Sequence, residues 1–454
     1  MGAFHAYDIR GIYNVDFDKH TAYKVGYFLP ALLNTNLVLV GRDCRTSSQE
    51  IHDYLIEGIT DAGADVHDIG LSSTPLVYFG TANYGYKASV QITASHNPAE
   101  YNGMKVSREN ALPVGYDTGL GQIKQWIDED RPTPPAPRKG SVKEIDIYQD
   151  YIDFLSGFKA DFSNLKIAID CSNGMSSLFV KHIYGDAPSY IFDTLDGRFP
   201  NHEPNPLIPK NVEPLKALVR STGADLGIIY DGDADRVMFV DEQARFVAPD
   251  LIIGLMAYYF CDERGEKNPR VLQEIRSSKA VGEWLEAYGA ELHTWKVGRA
   301  FAAPKLREID GLWGGELAGH YYFKDFFYSD SGMLASIIVL RIVAALKARG
   351  LTLGGEVDKI TRYRNSGEIN FRVEDKKGAM DAVRDHFLSQ EKSTAFMDFD
   401  GYRAEFPEWW FNIRPSNTEP YLRFICEATD EGLLQQKIKE VQDIIETQFG
   451  GVRA

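Results

Sequence analysis

At 454 residues the chain is too long for one ordinary core, and at about 100–200 residues per domain it should form roughly two to four units. Its 65 acidic against 49 basic side chains leave a net charge of −16, which argues against nucleic acid and anionic lipid as partners, so an anionic small substrate would need a locally basic pocket. Cys44, Cys171, Cys261 and Cys426 lie far apart with no Cys-x-x-Cys pair, which excludes a zinc knuckle or a disulfide framework and fits a reducing cytoplasm.

The amino terminus lacks the basic-then-apolar layout of a signal peptide, and the apolar stretch 251–260 is too short to span a bilayer, so no membrane segment is expected. Short apolar runs closed by turn residues mark buried strands, and they recur three times in similar order. In the first set, 37–40 runs into Gly41-Arg42-Asp43, 64–66 leads to Gly70, and Ala88–Ile92 opens into Thr93-Ala94-Ser95-His96. The second has 166–169 entering Asp170-Cys171-Ser172-Asn173-Gly174, then 189–192, then Leu226–Tyr230 entering an acidic loop. The third runs from 270–272 to Ser277-Ser278, through 291–295, and from 311–313 into Gly314-Gly315-Glu316-Leu317-Ala318-Gly319-His320.

Helical-period segments such as 51–62 and 212–222 separate many of these runs, which predicts α/β units with mainly parallel strands. In such sheets ligands collect beyond the carboxyl ends of the strands, so the three strand-ending loops should carry the chemistry and face one cleft. After about residue 355 the pattern changes to that of an α+β domain, with helical stretches near 377–388 and 433–449. Proline, glycine and charge clusters place the boundaries at 1–138, 139–244, 245–356 and 357–454.

Asp231-Gly232-Asp233-Ala234-Asp235 sets three carboxylates at alternate positions between two strand-like runs. Their mutual repulsion makes a plain acidic turn costly unless a cation is present. A helix-loop-helix calcium site is a poor match, because Arg236 stands where that loop needs glycine and the flanks are strands. Magnesium fits better, since it needs few protein oxygens when phosphate or water completes its octahedron. Ser95-His96 follows a strand, with Lys105 a few residues on; a nucleophile and a turn residue beside a solvated His are both open readings, and no Gly-x-Ser-x-Gly surrounds it. Arg414-Pro415-Ser416-Asn417-Thr418-Glu419-Pro420, with Arg423 beyond, offers guanidinium, hydroxyl and amide groups suited to phosphate oxygens. A nucleophile loop, a magnesium loop and a phosphate clamp are the parts that phosphoryl transfer requires.

Together with Tyr7-Asp8-Ile9-Arg10-Gly11 and Gly41-Arg42-Asp43-x-Arg45-x-Ser47, these segments resemble the α-D-phosphohexomutase superfamily over nearly the whole chain, and within it the bacterial phosphomannomutase/phosphoglucomutase branch. The resemblance implies three tandem α/β domains of shared topology and a C-terminal α+β domain resembling the TATA-box-binding-protein fold, around a central cleft. It implies that Ser95 carries the phosphate of the resting enzyme and that Asp231, Asp233 and Asp235 hold Mg2+ together with an oxygen of that phosphate. It further implies a hexose 1,6-bisphosphate intermediate, and a hexose phosphate substrate interconverted between mannose 6-phosphate and mannose 1-phosphate, with the glucose pair alongside. Arg414, Ser416, Asn417, Thr418 and Arg423 would hold the phosphate that is not reacting, and Glu316 would accept hydrogen bonds from sugar hydroxyls. Lys105, Arg10, Arg236 and His320 are the implied cations or proton carriers, with Lys296 and Arg299 nearby.

Two departures bear on the sugar: Ala318 stands where the family usually has serine, and Arg299 where many relatives have histidine. Arg299 brings a permanent charge and a planar fork, which is expected to strengthen phosphate binding or shift the sugar preference. Phosphoglucosamine mutase, against which Leu317 argues weakly, and a non-catalytic sugar-phosphate or metal-binding protein are the alternatives, and a monomer or homodimer is expected. Trp409-Trp410 and Tyr321-Tyr322-Phe323 read as core, and His202 and Lys210 as an exposed connection.

Overall fold

The computed structural model describes residues 2–416 and 420–454. The expected repeat is present as one sheet topology used three times. In the first unit the strand Leu37–Arg42 is central, flanked in parallel by Asp65–Leu71 and Ala88–Ile92, and the last of these turns back antiparallel into Tyr101–Arg108. The second unit repeats this with Ile167–Asp170 between Ser189–Ile191 and Leu226–Tyr230, the return strand being Val237–Asp241. The third has Arg270–Glu274 between Glu291–Trp295 and Trp313–Gly315, with Tyr321–Phe323 returning. Each return hairpin holds one of the loops singled out in the sequence: Ser95, the three aspartates, and Glu316 to His320.

Local sequence explains why these runs become strands. Leu226–Tyr230 is buried at every position, as a continuous apolar run covered on both faces must be. The helix Gly332–Ala348 is apolar nearly all round and lies inside the molecule, starting at the Ser331 cap, whose hydroxyl accepts from the Leu334 amide. The fourth unit is an antiparallel sheet ordered Ala395–Met397, Tyr402–Glu405, Trp409–Pro415, Leu422–Ala428, Ile369–Arg372 and Val452–Arg453. The helices Lys376–Gln390 and Glu431–Phe449 pack together against it. Trp409 lies in its core as expected, whereas Trp410, equally buried, points to the opposite face of the sheet, where Arg403 stacks on its ring and its Nε1 donates to Glu427 at 2.7 Å.

Four expectations need correction. Val142–Glu144 pairs in parallel with Asp65–Leu71, so the strand assigned to the second unit by a boundary at 138 completes the first sheet. Phe246–Val247 likewise belongs to the second sheet and not to the third unit. The boundary at 356 cuts the helix Leu353–Ile360, which packs against Pro249–Leu255. Proline and charge clusters mark loops, and the chain here leaves each unit a few residues after its loop. His202 is not an exposed loop residue: its Nε2 lies 3.1 Å from Oδ2 of buried Asp170. Among the described residues no helix is long and apolar enough to cross a membrane.

Candidate active site

The three return hairpins meet. Ser95 is buried, and its Oγ donates to Oδ2 of Asp231 at 2.8 Å. Arg236 and His320 form an isolated antiparallel bridge, and the Val237 amide donates to the Gly319 carbonyl at 3.1 Å, which ties the acidic hairpin to the Glu316 loop. Gly232 is required by close approach, because a Cβ there would stand 2.5 Å from the Ser95 carbonyl oxygen.

Ser95 has φ 53°, in the left-handed region. Buried Arg45 holds the backbone in that shape: its Nη2 donates to the carbonyls of Ser95 and Asn97 at 2.8 and 2.7 Å, and its Nη1 to those of Pro98 and Tyr101 at 2.6 and 3.0 Å. The sequence had Arg45 in a quoted motif but without this role. Arg10 completes the loop from outside, donating to Asn97 Oδ1 at 2.8 Å while paired with Asp8. His96 Nδ1 lies 3.5 Å from Ser95 Oγ. Burial, then the charges of Arg236, Arg10 and Lys105, push the His96 pKa well below the usual imidazole range, so the ring is neutral.

Asp231, Asp233 and Asp235 are each fully buried, with one carboxylate oxygen apiece within 4.8 Å of the others. The helix Thr74–Asn83 points its amino end at the group: the Thr74 amide donates to the Asp233 carbonyl at 3.1 Å and its hydroxyl to Asp233 Oδ2. Lys105 Nζ bridges Oδ2 of Asp233 and Asp235 at 2.6 and 2.5 Å. Burial works against the Lys105 charge, but these two carboxylates outweigh it and its pKa is raised, so Lys105 stands as a fixed cation. Burial, then the charges of Asp233 and Asp235, raise the pKa of Asp231.

Oδ1 of Asp233 and Oδ1 of Asp235 are buried without a hydrogen-bond partner. Carboxylate oxygens sealed from water and left unpaired are expensive. A small divalent cation with oxygen preference satisfies both at once, so the donor set fits magnesium.

Around this centre runs a cleft of ≈170 Å³ whose walls include Tyr7, Tyr78, Ala318 and Glu316. Glu316 Oε1 accepts from the Tyr322 hydroxyl at 2.7 Å and the Gly298 amide at 3.2 Å. Tyr322 is thus core, as expected, and also a partner of the site. Burial first, and the charge of Glu274, raise the Glu316 pKa against the opposing pull of His320. Lys296 has its Nζ over the Phe301 ring, 5.4 Å from the centroid.

The Arg299 fork is engaged within the protein. Its Nε donates to Asp330 Oδ1 at 2.9 Å, one Nη to the Ala111 carbonyl at 2.7 Å, and its plane lies 3.7 Å from the Tyr78 ring centroid. Asp330, Tyr78 and Thr74 carried no spacing signal; their link to the site exists only once the chain is folded.

In the fourth unit Arg414 and Arg423 are cross-strand partners. Like charges directly opposite destabilise a sheet, so the pair suits a bound anion. Arg414 is buried and donates to Asp400 Oδ1 at 3.2 Å, and Asp400 Oδ2 accepts from the Val297 amide at 2.9 Å, which brings the clamp to the edge of the cleft. Arg423 lies 3.0 Å from Glu368, and the Ser416 amide donates to the Tyr421 carbonyl at 2.9 Å. Asn417 and Thr418 lie outside the described residues.

Comparison with known proteins gives the same four units. Residues 1–132, 149–244 and 248–363 match phosphoglucomutase/phosphomannomutase alpha/beta/alpha domains I, II and III, and 368–444 match the C-terminal domain of that family. The phosphomannomutase of Escherichia coli strain K12 is 36% identical over 442 residues, covering 94% of this chain and 95% of that protein. That of Methanocaldococcus jannaschii is 34% identical over 451 residues, covering 97% of each. The crystal structure of a phosphoglucomutase/phosphomannomutase family protein from Burkholderia thailandensis superposes with a TM-score of 0.87 at 25% identity, over 98% of this chain and 97% of that one. The Ser95 loop, the acidic loop and the Glu316–His320 loop on three copies of one hairpin, with a fourth domain alongside, thus coincide with full-length kinship, and the chain belongs to the phosphoglucomutase/phosphomannomutase family of phosphohexomutases, which are isomerases.

Proposed function

We propose that the protein is a magnesium-dependent mutase that interconverts mannose 6-phosphate and mannose 1-phosphate, with the glucose phosphates as a second pair, through phosphorylated Ser95 and a hexose 1,6-bisphosphate. The observation that carries this reading is the buried Ser95 hydroxyl, 2.8 Å from one of three clustered aspartates at the mouth of a cleft that also holds Glu316 and Lys105. Asp231, Asp233 and Asp235 would hold the magnesium, which neutralises charge on the phosphoryl group in transfer.

The bond from Ser95 Oγ to phosphorus breaks as a sugar hydroxyl oxygen bonds to it, the hydroxyl's proton ending on the freed Ser95 oxygen, and the bisphosphate turns before its other phosphate returns to Ser95 and leaves that proton on the sugar oxygen. Arg10 and Lys105 supply fixed positive charge at the reacting end. Arg414, Ser416 and Arg423, with Asn417 and Thr418 of the same loop, bind the phosphate at the far end. Glu316, already oriented by Tyr322, accepts from the sugar hydroxyls. That both relatives are phosphomannomutases supports mannose.

The test is coupled kinetics on mannose 1-phosphate, glucose 1-phosphate and glucosamine 1-phosphate, with magnesium and a trace of the matching bisphosphate. We expect kcat/KM to be highest for mannose or level with glucose; a preference for the amino sugar would overturn the substrate. Ser95→Ala should abolish turnover with the fold intact, and undiminished activity in that variant would overturn the mechanism.

A further inference from the structure

The inference below rests on the mutase reading and concerns what holds Arg236 in place. A guanidinium N–H can only donate, and Arg236 Nε points at Nε2 of His320 from 2.9 Å. That nitrogen must therefore accept, so the imidazole proton sits on Nδ1, and Nδ1 donates to Oδ2 of Asp330 at 2.6 Å. The other oxygen of Asp330 accepts from Arg299 Nε at 2.9 Å. Arg299 is in turn fixed by the Tyr78 ring and the Ala111 carbonyl. Asp330 is completely buried, and His320 is only 7% exposed.

We propose that Arg299, Asp330 and His320 are positioning residues, a one-directional chain of hydrogen bonds that aims the Arg236 guanidinium into the cleft beside the acidic hairpin. Both ring nitrogens of His320 are engaged, Nδ1 by Asp330 and Nε2 by Arg236, which fixes the ring against the guanidinium. Arg236 Nε lies 3.8 Å from Asp231 Oδ2 and 4.0 Å from Asp235 Oδ1, where a small rotation of the imidazole would change which carboxylate it faces. Arg299, the residue that departs from the family's histidine, is the anchor of this chain and not an additional phosphate ligand.

The direction of the chain makes it testable. In Asp330→Asn the amide must turn its carbonyl toward Arg299, which can only donate, so its NH2 faces His320 Nδ1. Nδ1 then accepts, the ring proton moves to Nε2, and Nε2–H confronts Arg236 Nε–H. Removing the anchor as well, in Arg299→Met/Asp330→Asn, frees the amide to flip and restores the original tautomer.

The experiment combines nitrogen NMR of protein labelled with 15N-imidazole histidine, His320 being assigned with His320→Gln, and steady-state kinetics of the same variants. We expect an Nδ1–H ring in the wild type and an Nε2–H ring in Asp330→Asn, with kcat falling roughly 10- to 100-fold and KM moving less. The double variant should recover the Nδ1–H ring and most of the lost kcat, which a purely structural role for Asp330 would not allow. An unchanged tautomer in Asp330→Asn, or a double variant as slow as the single one, would overturn the proposal. If Asp330→Asn fails to fold, the wild-type spectrum decides, because an Nε2–H ring there contradicts the chain outright. A wild type that turns over no hexose phosphate would sink the mutase reading, whereas the tautomer switch and its reversal would still decide the chain.

Discussion

The second and third units share one core, whereas the fourth has its own. One apolar core runs through the second and third, taking in Ile167, Phe239, Trp313, Leu340 and Val357 without a break. The fourth encloses a separate core around Phe371, Trp409, Phe411 and Val441. Polar contacts join it to the third, beside the Trp295–Phe399 ring pair. Arg403 Nη1 donates to the Ile275 and Ser277 carbonyls at 2.7 and 2.6 Å, Ser278 Oγ to Glu427 at 2.6 Å, and Arg276 Nη1 to Glu368 at 3.1 Å. Apolar contact resists separation, while hydrogen bonds at a joint can be exchanged for bonds to water. The Arg414–Arg423 pair therefore sits on a unit whose core is separate from the one beneath the acidic hairpin.

Three substitutions or conditions would break or sharpen this contrast. The largest effect is expected from Trp313→Ala, which empties the fused core beneath the stacked Phe260 ring and should destabilise by about 3–5 kcal/mol. Calorimetry should show the second and third units melting together at a lower Tm; two separate transitions from that region would break the claim of fusion. Arg403→Met acts on the joint between the third and fourth units, uncovering two carbonyls at about 1–3 kcal/mol, with a rise in KM for hexose phosphate that exceeds the change in kcat. An effect on kcat alone would mean that the joint does not govern the clamp.

The smallest effect is one of pH. Asp250 is pushed up to about 7 by burial and then by Glu427, so in the folded chain it keeps its proton where an unfolded aspartate, near 3.9, has lost it. Its contribution to stability is thus greatest at low pH, declines as pH rises from about 4 to about 7, and stays low above that. Denaturation measured across this window should show a slope that Asp250→Asn flattens by about one proton. An unaltered slope would mean that Asp250 does not titrate in this window.

Much of this architecture was legible because its strands advertise themselves. Leu226–Tyr230 stands where its apolar run places it, since a strand covered on both faces needs such a run and a turn residue to end it; Ala88–Ile92 is also buried throughout, whereas Glu291–Trp295, at the edge of its sheet, is only partly buried. The acidic triplet was legible for an electrostatic reason, as like charges at alternate positions are unstable without a counter-ion. Other features have no local cause. Asp330 sits 31 residues from Arg299 and reads as a plain residue before a helix; only the third sheet brings the two together. His202 likewise looks solvated until Asp170, 32 positions away, closes on it. Boundaries failed where the chain finishes pairing with one sheet a few residues beyond the proline or charge cluster that suggested a break, as at Val142–Glu144.

The backbone at Ser95 restricts what evolution or a designer could place there. A φ of 53° is tolerated by glycine and, at some strain, by small unbranched residues, but it crowds a second heavy atom on Cβ. Threonine offers a hydroxyl of the same chemistry and is an equally good phosphate carrier in principle. In this loop its extra methyl group is the obstacle, so the choice of serine follows from the shape of the main chain and not from the reactivity of the side chain.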